Sequence, residues 1–523
     1  MRAFVIAFFI AMGCFAQRPE FLSGQLRDSQ TKEPVVFATI RIKNRAIGII
    51  SNMDGSFKIP HRFKSFGDTL EVSSMGYVSK VVLLSKMIPD RINIFEVLPA
   101  LEQLDEVIVQ GKKNNKNRKA LSSRQIVKRA IDNIPNNYPY APFSNVGYYR
   151  DYQFKEDKFH NLNEAIIEVF DLGFGTIDIS TSNFSMYEYK RNLDFPRDTV
   201  AERPYDYQKG LKIIPGAKLA DYGGNEFVIL RVHDAIRNHK VNAFDFVNRL
   251  DIDFMNHHSF ELMPEVLMAG ERLYTIAFFK SESDIWAEGK LYIAKSDFSI
   301  YGLDYDIYKL DKRNRLNALN KDEKRDKKIF AVKIQYQRAG EKMHLNYISV
   351  NNIFELREPP IFKLRSIQVN VDLKCYELNF TTAVEEASAT KTSHYKLKYK
   401  GKISKFKNVE VYGKKVLLFP KLVSGDLEYE LFSISKKSDD NDEFEFEIRN
   451  LKDVYGNIYD TSKMVEVNQF REFFVQEVKP GEAATDGTLF MNKTRPIFKN
   501  QPITAPENMG DYWMNTPLKT NSN

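Results

Sequence analysis

The chain contains 523 residues, of which 43% are hydrophobic and 13% aromatic, and this composition is sufficient for sizeable folded cores. Its 76 Lys and Arg residues against 69 Asp and Glu residues give a formal net charge of +7, a mild excess for this length. This mild charge, without base-stacking motifs or a basic helix, argues against a nucleic-acid partner. Phe and Tyr dominate the aromatic residues, which favours a mainly β protein.

The first sixteen residues have the pattern of a secretory signal peptide. A positive charge at Arg2 precedes an apolar run over residues 3–12, and Ala16 is a small residue at the expected cleavage site. The apolar run is shorter than the roughly 20 residues that a membrane-spanning helix needs. We therefore predict that residues 1–16 are removed on export across the inner membrane, and that the protein resides in the periplasm or associates with the outer membrane.

The two cysteines bear on how the protein is anchored and on which sites it can build. Gly13-Cys14 allows an alternative in which Cys14 is lipidated, although Ala11 stands where a lipobox prefers leucine. If Cys14 leaves with the signal peptide, Cys375 is the only thiol, and neither an internal disulfide nor a Cys-based metal or redox site can form. Cys375 lies in an apolar-polar alternation and is expected to be a small core residue.

The stretch after the signal peptide has the short, regularly spaced β-rich runs of a small sandwich. Apolar residues within 35–42 alternate onto one face and leave Arg41 on the other. Asp54-Gly55 supplies turn residues between 47–51 and 57–59, which predicts a hairpin. Further strands are expected at 69–73, 78–84, 92–98 and 106–109.

Five segments of this stretch carry a family resemblance. They are Gly24-Gln25-Leu26-Arg27-Asp28, residues 34–40, Asp54-Gly55-Ser56-Phe57, Ser73-Ser74-Met75-Gly76-Tyr77 and residues 104–109. Together they make residues 21–109 resemble the carboxypeptidase-regulatory-like domain. That resemblance implies a transthyretin-like β-sandwich of the kind frequent in envelope proteins of Bacteroidota and at the front of many TonB-dependent receptors. It implies a fold and a compartment but no particular activity.

A linker and a helix are expected next. Residues 110–121 are rich in Lys and Asn without apolar periodicity, which indicates a linker. Ser122 with Gln125 forms a capping-box pattern that starts a helix, and Pro135 ends it. The residues of its apolar face are Ile126, Val127, Ala130, Ile131 and Ile134. We expect this face to cover one side of the following sheet.

Residues 122–365 are predicted to form this helix and a central antiparallel β domain. The expected meander comprises strands at 274–279, 286–294, 298–308, 330–337 and 343–350. Glu288-Gly289-Lys290-Leu291-Tyr292-Ile293 followed by Phe298-Ser299-Ile300 is similar to the half-barrel of periplasmic lipoprotein carriers. Residues 311–328 are rich in both charges and predict an exposed loop, with docking of an anionic partner as the functional alternative.

A second sandwich is predicted at 369–465, where the residues resemble bacterial Ig-like domains. Its five strands are expected at 376–380, 395–397, 416–420, 427–431 and 444–448, and a closing turn at 450–457. The acidic run 438–443 suggests a calcium loop, but it lacks the required Gly and distal Glu, so a solvated hairpin tip is preferred. Residues 466–523 should form a last strand and an extended tail whose aromatic residues pack on other domains.

One motif suggests catalysis by zinc. His258 and Glu261 have the His-x-x-Glu spacing of zinc carboxypeptidases, and His344 or His394 could supply a third ligand. The motif lies in β-rich sequence and not in an α/β catalytic domain, so we interpret His257-His258 as an inert pair on a strand or loop.

A pair of carboxylates is the other catalytic candidate. Asp251 and Asp253 would share a strand face as paired carboxylates, but they are more consistent with the wet side of an edge strand. We therefore assign no catalytic, cofactor-binding or metal-binding residue.

Three functional hypotheses follow. The favoured one is a non-enzymatic envelope scaffold or binding protein whose β modules engage a protein or polysaccharide partner. The second is a periplasmic carrier for a lipid or acyl chain, in which the inward residues of 274–350 line a cavity. The third is a zinc carboxypeptidase-like hydrolase, which requires His258, Glu261 and a further histidine to converge.

Overall fold

The computed structural model describes eleven parts of the chain, and all structural statements below refer to them. They are residues 20–43, 45, 47–100, 121–155, 158–215, 225–241, 249–282, 285–310, 327–399, 401–435 and 444–518. Several predictions lie outside the described residues: the signal peptide, Cys14, the strand at 106–109, linker residues 110–120, charged residues 311–326 and the acidic run 438–443.

The chain divides into two compact units and is mostly β, which confirms the predicted fold class. The first unit comprises Met1–Pro204, Ile214–Phe354 and Val467–Asn523, and the second comprises Tyr205–Ile213 and Glu355–Glu466. No helix within the described ranges is long and apolar enough to cross a membrane.

The N-terminal part of the first unit is a two-sheet sandwich, which we term the N-terminal module. Its elements are β1 Phe21–Asp28, β2 Thr39–Ile42, β3 Gly48–Ile50, β4 Ser56–Pro60, α1 His61–Ser65, β5 Thr69–Ser73, β6 Lys80–Leu83 and β7 Ile92–Val97. One sheet has the order β4-β1-β7 and the other the order β3-β2-β5-β6. Leu22 and Leu26 of β1 pack with Ile40, Phe57 and Leu70 in the core between the sheets.

The predicted hairpin around Asp54-Gly55 is wrong, although the turn exists. Gly55 has a positive φ of 73°, and its N–H donates to Asn52 O at 2.8 Å. Beyond the turn the strands diverge, because β3 pairs with β2 whereas β4 pairs with β1. The Gly55 carbonyl accepts the N–H of Leu26, so β1 takes the place that a hairpin partner would occupy.

A large antiparallel sheet, the central sheet, dominates the first unit. Its strands are β8 Phe143–Lys155, β9 Lys158–Asp171, β10 Asn183–Arg191, β12 Ser259–Met268, β13 Glu271–Ser281, β14 Ile285–Ala294, β15 Ile300–Lys309, β16 Lys327–Ala339, β17 Lys342–Glu358 and β25 Lys463–Pro480. They follow the order β10-β9-β8-β25-β17-β16-β15-β14-β13-β12. The predicted meander is confirmed, because each strand from β12 to β17 pairs antiparallel with the next.

The predicted start of the helix before this sheet is confirmed, whereas its predicted end at Pro135 is wrong, because the helix ends at Asp132 and Pro135 belongs to the next helix. The helices of the first unit after α1 are α2 Ser123–Asp132, α3 Ile134–Asn137, α4 Asp178–Thr181, α5 Glu226–Val232 and α6 Ile252–His257. Ser122 caps α2, and Gln125 Oε1 accepts the Ser122 N–H at 2.9 Å. Pro135 lies in the first turn of α3. Backbone N–H groups in a first turn have no acceptor within the helix, so the proline costs no helical hydrogen bond there. As expected, α2 packs on β12 and β14.

The second unit contains two small sheets. Its elements are β11 Lys212–Ile213, β18 Leu364–Asn370, β19 Cys375–Phe380, α7 Glu386–Ala389, β20 Tyr395–Tyr399, β21 Lys402–Ser404, β22 Phe406–Tyr412, β23 Lys415–Pro420, α8 Leu427–Ser435 and β24 Phe444–Ile448. The sheets have the orders β18-β19-β23-β22 and β21-β20-β24. Cys375 is buried, as expected of a core residue.

The strand predicted at 427–431 is wrong, because these residues begin α8. Leu427-Glu428-Tyr429-Glu430-Leu431 fits a two-residue period, but Leu427 and Leu431 also share one helix face. The N–H groups of Tyr429 and Glu430 both donate to Asp426 O, which starts the turn. Leu431 and its neighbour Phe432 are both buried, a combination that a half-exposed strand does not allow.

The turn predicted at 450–457 is held by one carboxylate. Asp453 accepts the N–H groups of Tyr455 at 3.0 Å and Asn457 at 2.8 Å, and the hydroxyl of Thr382 at 2.9 Å. Burial acts to raise the pKa of Asp453, but these hydrogen bonds to its charged form hold the pKa below its usual value. Asp453 therefore has a structural role in this turn.

The N-terminal module packs directly on the central sheet. Arg41, which the alternation leaves outside the module core, donates to Asn346 Oδ1 at 2.7 Å and to Val475 O at 3.3 Å. Phe37 stacks on Tyr347 with ring centroids 5.4 Å apart. Burial lowers the pKa of Arg41 to about 10, so this contact removes a guanidinium from water.

A buried polar cluster links the module to the middle of the sheet. Arg150 on β8 pairs with Glu472, the residue opposite it on β25, and also donates to Asn52 Oδ1 in the module. The hydroxyl of Tyr347 donates to Glu472 at 2.9 Å. The side chains of Arg150 and Glu472 are only 2% and 5% exposed, so each charge depends on its partner for the hydrogen bonds that water would otherwise provide.

The C-terminal tail closes over the module, as predicted for its aromatic residues. The Trp513 ring packs against Phe63 at a centroid distance of 5.7 Å, and its Nε1 donates to Lys58 O at 2.8 Å. Asn515 extends the contact by accepting the Lys58 N–H at 2.8 Å and donating to Ile50 O at 2.7 Å. The tail therefore ties the module to the rest of the first unit.

Replacing Trp513 with alanine should destabilise the first unit. The side chain is 4% exposed, and truncation of a buried Trp removes about 3–5 kcal/mol from the free energy of unfolding. We expect a clearly lower Tm for Trp513→Ala by calorimetry. The matched control is Leu489→Ala, because Leu489 lies in the same tail but is 54% exposed. Equal Tm values for the two variants would contradict the proposed role of the tail.

Candidate functional site

His258 is a packed structural residue at the end of a helix. It caps α6, is 4% exposed and stacks on Phe254 with centroids 4.3 Å apart. Its Nδ1 lies 3.0 Å from Phe254 O and its Nε2 lies 2.8 Å from Tyr305 Oη. Burial lowers its pKa to about 4, so the ring is neutral near pH 7. Both ring nitrogens are occupied by protein partners.

The remaining nominated zinc ligands do not join His258. Glu261 is exposed on β12, and His344 is buried on β17 beside Phe143. His394 belongs to the second unit, where its Nδ1 lies 2.9 Å from Ser388 O. Across the described ranges, no group of three or more His, Cys, Asp or Glu side chains could hold a metal ion. The convergence that the hydrolase hypothesis requires is therefore absent from the described part of the chain.

Asp251 and Asp253 do not lie on a strand, so the predicted edge-strand position is wrong. Asp251 is the N-cap of α6, and its carboxylate accepts the Asp253 N–H at 2.8 Å. Arg249 contacts both carboxylates, with an Nη2 to Asp253 Oδ2 distance of 3.1 Å. Asp-x-Asp is as suitable for a helix start as for an exposed strand, and the capping bond favours the helix here.

The inward face of the central meander is packed. Its residues, each at most 2% exposed, are Ile276, Phe278, Leu291, Ile293, Leu303, Tyr305, Ile334, Tyr336, Ile348 and Val350. Phe254 of α6 contacts Phe278 at a centroid distance of 5.2 Å, and Tyr138 contacts Tyr336 at the same distance. The hydroxyl of Tyr336 donates to Asp234 at 2.8 Å. These residues form a core and do not line a cavity.

An exposed apolar edge of the N-terminal module is the clearest candidate for partner binding. β6 and β7 each end the described order of their sheet, and both carry exposed aliphatic side chains. These are Val81 at 53% and Leu83 at 45% exposure on the outer face of one sheet, and Ile92 at 47% and Ile94 at 54% exposure on the outer face of the other. We call these two strands with their exposed side chains the edge surface. Edge strands of soluble proteins usually carry charges that prevent strand addition. Aliphatic side chains at such edges indicate an interaction site.

Asn93 fixes the direction in which the side chains of β7 point. It is 8% exposed, and its amide bonds to Ile88 N at 2.8 Å, Ser23 O at 3.0 Å and Ile88 O at 3.0 Å. Because Asn93 points inward, the period of two turns Ile92 and Ile94 outward. This inversion, a polar residue inside and two isoleucines outside, is the sequence signal that could have revealed the edge surface.

A hydrogen bond from a lysine side chain links the two edge strands, and a salt bridge fixes the same region of β7. Lys80 on β6 donates to the Glu96 carbonyl on β7, and Lys32 pairs with the Glu96 carboxylate at 2.7 Å. The hydrogen bond from Val78 N to Leu98 O at 2.9 Å adds a backbone contact between the segments next to these strands. The edge surface is therefore presented by two connected strands.

Comparison with known families confirms the identity of the N-terminal module. Residues 22–109 match the family model of the CarboxypepD_reg-like domain. This match defines the class of the module and covers less than half of the chain. No curated protein matches the sequence.

Three solved structures show limited similarity. A domain described as an outer membrane lipoprotein-sorting protein from Vibrio parahaemolyticus has 6% identity and a TM-score of 0.22, covering 44% of this chain and 86% of that one. A LolA superfamily protein from Nitrosomonas europaea has 12% identity and a TM-score of 0.20, with 45% and 86% coverage. A DUF1329 family protein from Desulfovibrio piger has 9% identity and a TM-score of 0.19, with 44% and 86% coverage. TM-scores this low carry no argument about this chain.

Buried histidines predict a loss of stability in mild acid. Burial lowers the pKa of His239, His258 and His344 to about 4 from an ordinary value of 6.5. Between these values the unfolded chain binds more protons than the folded chain, so the free energy of unfolding falls as the pH drops from 6.5 to 4. The loss is at most about 3 kcal/mol per histidine.

Calorimetry between pH 7.5 and 4.5 tests this prediction. His344→Gln removes one of the three titrating groups, and we expect its Tm to decline less with acid than the Tm of the wild type. The His257→Gln variant is the control, because His257 is exposed. An identical acid dependence for His344→Gln and the wild type would refute the assignment.

Proposed function

We propose that the protein is a non-enzymatic binding protein of the cell envelope that engages a partner protein through the edge surface of its N-terminal module. The observation that carries this proposal is the pair of edge strands β6 and β7 with four exposed aliphatic side chains. Export across the inner membrane, inferred from residues 1–16, is the second element of the proposal. The edge surface would then face partners in the periplasm or at the outer membrane.

The chemistry of the edge surface favours a protein partner over a polysaccharide. Sugar-binding surfaces need polar groups and aromatic faces, whereas Val81, Leu83, Ile92 and Ile94 offer aliphatic groups. Among the described strands, β6 and β7 each have a partner on one side only, and such an edge offers backbone N–H and C=O groups in a regular row, which an extended peptide can pair with. We therefore infer recognition of an extended apolar segment that adds to β6 or β7.

The attachment of the module supports a binding role. The contacts of Arg41, Asn52 and Trp513 hold the module against the central sheet and the tail. A site on a rigid element loses less conformational entropy on binding than a site on a mobile domain. The central sheet and the tail would thus act as a platform that presents the edge surface.

The carrier alternative has less support from the geometry. It requires the inward residues of 274–350 to line a cavity, and these residues are packed instead. A carrier that uses this face would have to displace buried groups such as Tyr336 and Asp234, which bond to each other at 2.8 Å. The scaffold or binding role is therefore our conclusion.

Charge placed on the edge surface should abolish partner capture without unfolding the module. Ile94→Lys and Val81→Lys alter side chains that are more than half exposed, so each should change stability by less than about 0.5 kcal/mol. We expect both variants to lose, by at least about tenfold, the proteins that the wild type captures from gently solubilised envelopes, as quantified by mass spectrometry.

Val371→Lys is the matched control, because Val371 is 54% exposed and lies in the second unit. It should capture the same proteins as the wild type. Equal capture by wild type, Ile94→Lys and Val81→Lys would refute the proposal, and so would the absence of any enriched protein with the wild type.

A further inference from the structure

A small cavity lies on the outer face of the central sheet, beneath the N-terminal module. Its volume is about 320 Å³, at the lower end of the range for small-molecule sites. Met75 and Gly76, from the loop between β5 and β6, cover one side, and strands β12 to β16 form the rest. All of these residues belong to the first unit.

One wall of the cavity is apolar and follows from an irregularity in β12. Met263 pairs with Thr275 and Val266 with Leu273, so two β12 residues lie opposite one residue of β13 and form a bulge. Pro264 occupies this bulge, where its lack of an N–H breaks no regular ladder bond. Met263, Pro264 and Val266 line the cavity together with Met75.

A glycine lies where the module meets the central sheet next to the cavity. Gly302 on β15 lies opposite Tyr292 on β14. A Cβ at Gly302 would lie 3.2 Å from Tyr292 Cδ2 and 3.6 Å from Met75 Cε. The absent side chain therefore gives room to the Tyr292 ring, and Met75 lies at ordinary van der Waals distance from the same point.

The floor contains a buried polar group without a partner. Thr275 is 4% exposed, lines the cavity, and its hydroxyl has no hydrogen-bond partner among the described residues. A buried hydroxyl that forms no hydrogen bond costs roughly 1–3 kcal/mol, and most such groups in proteins are satisfied. A ligand that accepts a hydrogen bond from Thr275 would remove this deficit.

Two lysines give the cavity a positive charge. Lys290, Asp304 and Lys333 lie opposite one another on β14, β15 and β16, so their side chains share the outer face. In the described ranges neither lysine forms an ion pair within 4 Å, and Lys333 lies over the Phe37 ring at 5.7 Å. Two lysines against one aspartate leave a surplus of one positive charge.

Asp304 is the only acidic side chain among the described residues that line the cavity, and burial disfavours its charged form. The hydroxyl of Tyr292 donates to its Oδ2 at 3.2 Å. Burial raises the pKa of Asp304 despite the nearby Lys333, Tyr292 and Lys290. With two lysines and one carboxyl group in its lining, the cavity has a net positive charge.

We propose that this cavity binds a small amphiphile, with an oxyanion head held by Lys290, Lys333 and the Thr275 hydroxyl. The apolar chain of the ligand packs on Met75, Met263 and Val266. The head is a carboxylate or a phosphate, since both accept hydrogen bonds from ammonium and hydroxyl groups. The proposal concerns a site separate from the edge surface and does not depend on the proposed partner protein.

Ligand titrations of the full chain, followed through the NMR signals of the methionine methyl groups, test this site. We would label the Met Cε with ¹³C and add octanoate, monooctyl phosphate, octan-1-ol or inorganic phosphate, with affinities measured in parallel by calorimetry. The methyl signals of Met75 and Met263, assigned by Met75→Leu and Met263→Leu, should shift with octanoate or monooctyl phosphate. These two ligands distinguish a carboxylate head from a phosphate head.

Variants of the polar residues Lys290 and Thr275 test whether these side chains hold the anionic head. Lys290→Gln and Thr275→Val should each weaken binding of the anionic amphiphile by about tenfold, the effect of one charge-assisted or buried hydrogen bond. Thr275→Val should keep or raise the Tm, because it removes an unpaired buried hydroxyl, so weaker binding could not be attributed to unfolding. Lys155→Gln is the control, because Lys155 is an exposed lysine on β8 that should not affect binding.

Three results would overturn the proposal. The first is that neither octanoate nor monooctyl phosphate shifts the Met75 and Met263 signals. The second is that octan-1-ol binds as tightly as octanoate, which would make the anionic head irrelevant. The third is that Lys290→Gln and Thr275→Val bind as tightly as Lys155→Gln. If inorganic phosphate binds as tightly as monooctyl phosphate, the apolar chain adds nothing to the affinity, and the proposed packing of that chain is wrong.

Discussion

The buried ion pair between Arg150 and Glu472 is the interaction on which the first unit depends. It joins β8 to β25 at the middle of the central sheet, and Arg150 also donates to Asn52 in the N-terminal module. Three segments that are distant in the sequence therefore converge on one guanidinium. Removing one partner of a buried pair leaves an uncompensated charge and typically costs about 3–5 kcal/mol. A buried pair of this kind favours one arrangement of module, sheet and tail over alternatives in which the charges are unmatched.

The opposite face of the same strands carries a second buried polar cluster. Arg471 on β25 pairs with Glu226 of α5 and donates to Asn352 on β17. Asp151 on β8 accepts the hydroxyl of Tyr149 at 3.0 Å, and burial together with the charge of Glu226 raises its pKa to about 7. Both faces of β8 and β25 are thus covered by other parts of the chain. The polar side chains in the buried middle of these strands, among them Arg150, Glu472 and Arg471, bond to other parts of the chain.

Local patterns predicted the parts of the fold that depend on neighbouring residues. The helix cap at Ser122, the meander from β12 to β17 and the turn at Asp453 were all predictable, because each is built from adjacent segments. The position of β25 between β8 and β17 was not, since it depends on pairing between residues more than three hundred positions apart. The Asp54-Gly55 hairpin and the strand at 427–431 failed for the same reason: short patterns fit two structures, and distant contacts select one.

The candidate sites show the same limit. Sequence motifs directed attention to His258 and Glu261, whereas the exposed side chains of Ile92 and Ile94 become evident only once Asn93 is known to point inward. Thr275, Lys290 and Lys333 lie on three different strands, and no sequence spacing brings them together. Their common position on one face of the sheet depends on the register of β13 to β16. Sites built across a sheet are accordingly the least visible in the sequence.

Native-state hydrogen exchange tests most directly whether module, sheet and tail form one platform. If they do, amides of β1 and β2 in the module should open with the same free energy as amides of β8 and β25 in the sheet, because the Arg150 cluster and the Trp513 contact couple them. Module amides that open at a free energy more than about 2 kcal/mol below that of the sheet would contradict a single platform, since the module would then unfold independently.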